Sequence, residues 1–414
     1  MKLLFVHQNL GALGGAEANI QITASELRSR GHTVALLHGP GTGQGEQSFR
    51  DTFSETFSLS GADKSETATA VVEEFRPDVI YLHNLADLGV IEALVQAGVP
   101  VVRMVHDHAM YCMRGHKTNI FTRNICARPT SLYCIFPCGA SLSRNRQGKL
   151  PVAWVSYAAK RKEIRLNQQC ERMVVYSEYC KKELIRNGFE ASKIHIHVPI
   201  DCWGAGGPVS SFSDRNRLLF VGQIIRGKGV DLLLKSLARV KTPFECLILG
   251  EGSHRAYCER LSAELGLQDR VKFGGYVPRQ QLKDFYLDSS AFLVSSVWPE
   301  PFGLVGPEAM RYGLPVVAFD AGGIREWLTD GENGFLVPRM DTDLFAARIE
   351  ELLRNKDLAR QMGRRGLERV NREYDSVRQI DTLENLFLRV IEEAQVKSEK
   401  IATQNYIYEL CTAN

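Results

Sequence analysis

Glu300 and Glu308 frame the segment Pro301-Phe302-Gly303-Leu304-Val305-Gly306-Pro307, which follows an apolar run and opens a helix, with Pro307 suited to the first helical position. Seven residues lie between the two carboxylates, so Glu300 falls in the loop and Glu308 in the first helical turn. An ionised carboxylate can accept two hydroxyl hydrogen bonds at once, which is what a ribose or pyranose diol offers. Gly303 and Gly306 would let backbone N–H groups approach an anion at the helix start. Glu308 also reads as an ordinary helix-start charge favoured by the dipole. A second segment, Val221-Gly222-Gln223-Ile224-Ile225-Arg226-Gly227-Lys228-Gly229, turns from strand to helix with two cations that suit a diphosphate, Arg226 by its fork and Lys228 as a point charge. A solvated basic turn would have the same composition.

His106 ends the apolar strand Val99–Val105, where a side chain would project into a cleft, although a satisfied core histidine is the commoner case. Gly14-Gly15-Ala16-Glu17 forms another strand-turn-helix glycine pair. It is not the G-x-G-x-x-G dinucleotide fingerprint, and the second strand ends Leu37-His38 with no acid for a ribose, which disfavours a nicotinamide oxidoreductase. Cys112, Cys126, Cys134 and Cys138 cluster after His106, enough thiolates for a tetrahedral zinc or an iron–sulfur cluster, though the spacing fits no usual paired motif. Four free thiols, or disulfides in an exported chain, are the other readings. Between Arg144 and Arg165, cations alternate with Trp154, Val155, Tyr157 and Ile164, as in a basic amphipathic helix on an anionic membrane or in an ordinary solvated helix.

These residues need a scaffold, and the chain supplies an α/β rhythm. Short apolar runs at Leu3–His7, Val34–Leu37, Val79–Leu82, Val99–Val105, Met173–Tyr176 and Ile194–Val198 alternate with helical stretches such as Glu17–Arg30. After a glycine- and serine-rich stretch between Pro199 and Arg217, the rhythm restarts at Leu218–Val221 and runs to Phe335–Val337. The expectation is two doubly wound domains facing a central cleft: an N-terminal domain over 1–200 with a cysteine-rich insertion at about 108–148, a second domain over 201–374, and a helix over about 375–414 with the first domain as its packing partner. The 414 residues balance 51 Lys and Arg against 48 Asp and Glu, which argues against a dedicated nucleic-acid binder. No apolar run is long enough to span a bilayer, and the N-terminus is too short in apolar residues for a secretory signal, so a cytoplasmic protein is expected, with the cytoplasmic membrane face as the alternative place.

Taken in order, Gly-Gly-Ala-Glu, His106-Asp107, Val198-Pro199-Ile200-Asp201, Lys228-Gly229, the Glu300–Glu308 pair, Gly322-Gly323-Ile324-Arg325-Glu326 and Gly331-Glu332-Asn333-Gly334 resemble the family 4 retaining glycosyltransferases of the GT-B fold. The resemblance implies a nucleotide-sugar donor (UDP-, GDP- or ADP-linked) and a glycan or lipid-linked acceptor, in surface polysaccharide or glycoconjugate assembly. It implies that Glu308 holds the ribose, Glu300 contacts donor-sugar hydroxyls, Lys228 stabilises the β-phosphate and His106 meets the transferred sugar. Gly14, Gly15, Phe302, Gly303 and Leu304 would border the donor. The family commonly has Arg where this chain has Gln223, and Arg226 is the candidate substitute. No Asp-x-Asp motif is present, so no catalytic metal or other cofactor is expected. The competing readings are a phosphorylase or epimerase of this fold, or a catalytically degenerate sugar-nucleotide sensor or assembly partner.

Overall fold

A computed structural model of the chain describes residues 1–11, 14–61, 63–144, 152–199, 207–212 and 215–412. The first sheet contains β1 (Lys2–His7), β2 (Thr33–His38), β3 (Glu55–Ser58), β4 (Val79–Leu82) and β5 (Val101–Met104). A two-stranded antiparallel pair, β6 (Leu142–Arg144) and β7 (Val152–Trp154), stands apart, and β8 (Arg172–Val175) and β9 (Ile194–Ile196) complete the first sheet. Its strands are parallel, in the order β3-β2-β1-β4-β5-β8-β9. The second sheet holds β10 (Arg217–Val221), β11 (Glu245–Leu249), β12 (Val271–Gly275), β13 (Ala291–Val294), β14 (Val316–Phe319) and β15 (Gly334–Val337), parallel in the order β12-β11-β10-β13-β14-β15. Both orders reverse direction beside the first strand of their domain, the doubly wound arrangement whose ligand crevice opens at the carboxyl ends of the strands.

The strands are apolar on both faces because helices cover both. β4, β5, β13 and β14 are buried along their whole length. Most of the linker between the two halves lies outside the described residues, as do Arg146 and Lys149 of the basic segment. Several helices carry too little apolar periodicity to stand out in the sequence. Lys356–Glu373 is one, a strongly charged helix that buries Ala359, Met362 and Val370. The last helix, Ser376–Thr412, lays Ile380, Leu383, Phe387 and Val390 on the N-terminal domain. There Arg30 donates to Asp381 and Glu384, and Phe387 packs edge-on to Tyr81 at 5.0 Å. One apolar cluster runs through both sheets and this helix, so the halves share a core as well as facing one another.

Candidate active site in the cleft

The loops leaving the carboxyl ends of the two sheets meet. His108 Nε2 donates to the Pro299 carbonyl at 2.7 Å, and Ser177 Oγ donates to the Pro301 carbonyl at 2.6 Å. The Glu178 backbone N–H donates to Glu326 at 2.8 Å. A carbonyl can only accept, so His108 carries its proton on Nε2 and takes the Tyr111 hydroxyl, 2.6 Å away, on Nδ1. The histidine is buried, and that burial lowers its pKa below the ordinary value. In the sequence His108 has no signal of its own beside His106, yet with Ser177 it ties the N-terminal domain to the loop around Glu300.

Glu300 sits in the loop after β13, 5% exposed, with its backbone N–H on Ala321 and its carbonyl accepting from Gly323. Its Oε1 accepts from Lys228 Nζ at 2.6 Å and from Ser296 Oγ. Burial pushes the Glu300 carboxyl up, but the Lys228 charge and these hydrogen bonds outweigh it and hold it below the usual carboxylate range. Lys228 closes a short 3-10 turn, Arg226–Lys228, after β10. That turn fits because the next residue is glycine. Gly229 has φ +67°, and a Cβ there would lie 2.1 Å from the Ser295 carbonyl oxygen. Lys228 Nζ also lies 5.4 Å from the centre of the Trp298 ring.

Glu308 stands in the helix Val305–Arg311, 9% exposed. Arg279 donates to its Oε1 at 2.7 Å and the Tyr286 hydroxyl to its Oε2 at 3.3 Å. Both carboxylates therefore already hold cationic or hydroxyl donors, on groups whose ionised form offers about four lone-pair sites. Arg279 and Tyr286 were missed because nothing in their local sequence points to a carboxylate that far along the chain.

The segment between them divides by role. Gly303 has φ +85°, as a tight turn requires. Gly306 has another purpose than anion approach: a Cβ on it would come within 2.1 Å of the Trp327 ring, so the glycine lets helix and indole pack together. Phe302 is a core residue, its ring edge-on to Tyr374 at 5.6 Å, while its carbonyl accepts from Trp327 Nε1 at 2.7 Å. Leu304 faces the other domain, and a methyl on Gly15 would lie 3.9 Å from its Cδ1. Gly14 and Gly15 open the helix Gly15–Ser29, so this glycine pair and the Glu300–Glu308 loop border the same cleft.

His106 does not project freely. Its Nε2 meets His83 Nδ1 at 2.9 Å and its Nδ1 meets the Tyr176 hydroxyl at 2.8 Å. Tyr176 in turn donates to Asn19 Oδ1 at 3.4 Å. One proton assignment satisfies the chain: His106 donates from Nδ1 to Tyr176 and accepts on Nε2 from His83 Nδ1–H. Burial, with smaller contributions from His7 and Arg103, pulls the His106 pKa down to about 3, so the ring is neutral at pH 7.

Gln223 and Arg226 are both exposed. Arg226 donates to the Ile120 carbonyl at 2.7 Å, and the same insertion sends Arg123 to Asp231 in a two-pronged pair at 2.8 and 3.1 Å. Arg339 donates to the Arg123 carbonyl and to Asn124. The cysteine-rich insertion therefore latches onto the second domain beside the Lys228 turn, and Arg226 is part of that latch. Cys112, Cys126, Cys134 and Cys138 all line one cavity of about 30 Å³ and are unpaired. Among the described residues no three His, Cys, Asp or Glu side chains are gathered closely enough to hold a metal ion, and no helix is long and apolar enough to cross a membrane. The helix Tyr157–Asn167 is not a free amphipathic element: Ile164 and Leu166 are buried in the N-terminal core, and Lys160 and Lys162 pair with Glu163 and Glu92.

The family model described as Glycosyltransferase Family 4 matches residues 13–199, and the one described as Glycosyl transferases group 1 matches residues 208–369. The chain is 33% identical over 142 residues to an uncharacterized glycosyltransferase of Methanocaldococcus jannaschii, covering 34% of this chain and 36% of the relative. It is 31% identical over 156 residues to the lipopolysaccharide core biosynthesis glycosyltransferase LpsE of Rhizobium meliloti, covering 38% and 45%. The matched stretches thus span less than half of these relatives. Anabaena Alr3699/HepE in complex with UDP superposes with a TM-score of 0.70 at 20% identity, covering 94% of this chain and all of that one. Sucrose-phosphate synthase from Thermosynechococcus elongatus does so with a TM-score of 0.70 at 18% identity, covering 95% and 99%. Both likenesses establish the GT-B fold.

Proposed function

We propose, for a chain that belongs to the group 1 / family 4 glycosyltransferases, that the cleft transfers a sugar with retention from a nucleotide-diphosphate-sugar to a glycan or lipid-linked acceptor. The observation that carries the reading is the pair of Lys228 with the buried Glu300, in a loop that faces Gly14 and Gly15 across the cleft and leads into the helix of Glu308. That HepE was crystallised with UDP and with UDP-glucose supports a nucleotide-sugar donor, and the name of LpsE supports a surface-glycan acceptor.

In this reading Glu308 takes the ribose hydroxyls on its remaining lone pairs. Lys228 lies beside the departing diphosphate and neutralises the charge that grows there as the glycosidic bond breaks. Glu300, ionised and fixed by Lys228 and Ser296, accepts hydrogen bonds from the donor sugar. No carboxylate is free of partners to act as a nucleophile among these residues, so substitution on the front face, with the diphosphate oxygen receiving the acceptor's proton, fits the groups present. Arg226 adds to the diphosphate site only if it leaves the Ile120 carbonyl. Lys228 supplies the charge that a metal ion would otherwise bring, so the reaction is expected to survive chelation. At the cysteine cavity the proposal is a structural zinc, which would draw the four thiolates together; about one zinc per chain in protein purified without chelator supports it, and a metal-free protein removes it.

The test is thermal stabilisation by UDP, GDP and ADP, wild type against Glu308→Ala. A ligand at about 100 times its Kd adds about 2.7 kcal/mol to the folded state. Stabilisation by one nucleotide, lost in the variant, is the expected result; no stabilisation by any of them would favour a degenerate protein.

A further inference from the structure

Six of the thirteen large apolar side chains that stand exposed among the described residues fall in the insertion or just after it: Phe121, Leu132, Ile135, Phe136, Leu142 and Trp154. Five of them are joined. Phe136 N–H donates to the Leu132 carbonyl, Gly139 N–H to Ile135 and Leu142 N–H to Gly139, and Leu142 is the cross-strand partner of Trp154. Leu132 is 68% exposed, Phe136 83% and Trp154 73%, values that leave most of each residue in water. Scattered exposed apolar residues need no explanation, but a run of them on one turn and its adjoining strand pair marks an interaction surface.

The charge carried by the segment that bears this surface has one sign. From His108 to Lys162 the sequence holds ten Lys and Arg and no Asp or Glu, while the rest of the chain has 41 cations against 48 anions. Four of the ten are matched by carboxylates from outside the segment: Lys117, Arg123, Lys160 and Lys162. Arg128 is exposed, with its guanidinium 4.4 Å from the centre of the Tyr133 ring, next to Leu132 in sequence. A protein surface would ordinarily present both signs of charge. Exposed apolar tips on a segment that has no carboxylate of its own, with Arg128 beside them, match a surface that is anionic at its face and apolar just beneath it. Tryptophan and phenylalanine favour that boundary, and arginine and lysine beside it gain from anionic headgroups.

We propose that the turn Leu132–Phe136 and the Leu142–Trp154 pair dock this protein on an anionic lipid bilayer. The same insertion latches to the second domain through Arg123, so docking would hold the cleft at a fixed place relative to the lipid surface. The inference rests on exposure and charge alone and does not depend on the transfer reaction proposed above.

The experiment is co-sedimentation of the full chain with vesicles of phosphatidylcholine alone and of phosphatidylcholine with an equal part of phosphatidylglycerol. Binding is expected to the anionic vesicles, with partitioning reduced at least about tenfold in Phe136→Ser/Trp154→Ser and also reduced in Arg128→Glu. Because an exposed double substitution could still disturb the insertion, a second reading uses Trp154→Phe, which keeps the apolar ring. Bromine-labelled anionic lipid should quench the wild-type fluorescence and quench Trp154→Phe much less. Absence of binding to anionic vesicles, equal binding by all variants, or quenching unchanged by Trp154→Phe would each overturn the proposal. Binding to a soluble polyanion with no preference for vesicles would overturn it too, in favour of a purely electrostatic partner.

Discussion

At the scale of single residues, the site is a set of carboxylates and rings that reach the cleft already hydrogen-bonded. The Lys228–Glu300 pair is asymmetric: Glu300 is buried and Lys228 about a fifth exposed. Replacing Lys228 by Met leaves a buried carboxylate without its cation, so stability at pH 7 should fall by about 3 kcal/mol in urea melts. The sign of the pH effect follows from the direction of the shift. Glu300 is held below its ordinary value of 4.5, so its contribution is present above about pH 4.5 and is lost as pH falls through the depressed value. Lys228→Met should therefore flatten the acid limb of the stability profile. His106 acts in the same direction by another cause. Its ring is held neutral with a pKa of about 3, whereas the unfolded ring titrates near 6.5, so the unfolded chain takes up the proton first and stability falls on acidification below about 6.5. Melts at pH 7 and pH 5 should differ less in His106→Gln than in wild type, by about 1.4 kcal/mol per pH unit at most. The glutamates, Lys228 and the glycines were legible because their signal is local: one strand, one turn, one helix start. His83, Tyr176, Arg279 and Tyr286 were not, because their roles exist only once strands distant in sequence lie side by side.

At the scale of elements, glycine-built turns and the insertion latch set the site's shape. Gly229→Ala would drive a methyl into the Ser295 carbonyl from a left-handed backbone, so it should cost about 1–3 kcal/mol and displace Lys228. Nucleotide affinity should fall with it, whereas substitution of a surface residue on the Lys356–Glu373 helix should leave affinity unchanged. Arg123→Ala removes a two-pronged, charge-assisted contact and leaves Asp231 buried. A loss of about 2 kcal/mol and faster proteolysis within the insertion are expected. The latch was invisible in the sequence because Arg123 and Asp231 stand 108 residues apart. Arg226 shows the reverse case. Its position in a basic turn points to phosphate, and the fold also sets one of its nitrogens on the Ile120 carbonyl, a contact that the sequence does not signal.

At the scale of the molecule, the two strand orders and the helix that returns to the N-terminal domain make one cooperative body with a cleft. The sheets were readable as apolar runs because strands buried on both faces carry no polar alternation. Helices with an apolar face such as Glu17–Arg30 were readable too, whereas the strongly charged Lys356–Glu373 was not. Deleting residues 376–414 would strip Ile380, Leu383 and Phe387 from the shared core and should lower the melting temperature or abolish the folded state, read by circular dichroism. In the proposed function one cleft holds a nucleoside through Glu308 and its diphosphate through Lys228. Calorimetric titration of the matching nucleoside and nucleoside diphosphate into wild type, Glu308→Ala and Lys228→Ala tests it most directly. The expected pattern is that Glu308→Ala weakens both ligands, while Lys228→Ala weakens the diphosphate and brings its affinity toward that of the nucleoside. Equal affinities across all three proteins would contradict the claim and place the nucleotide elsewhere.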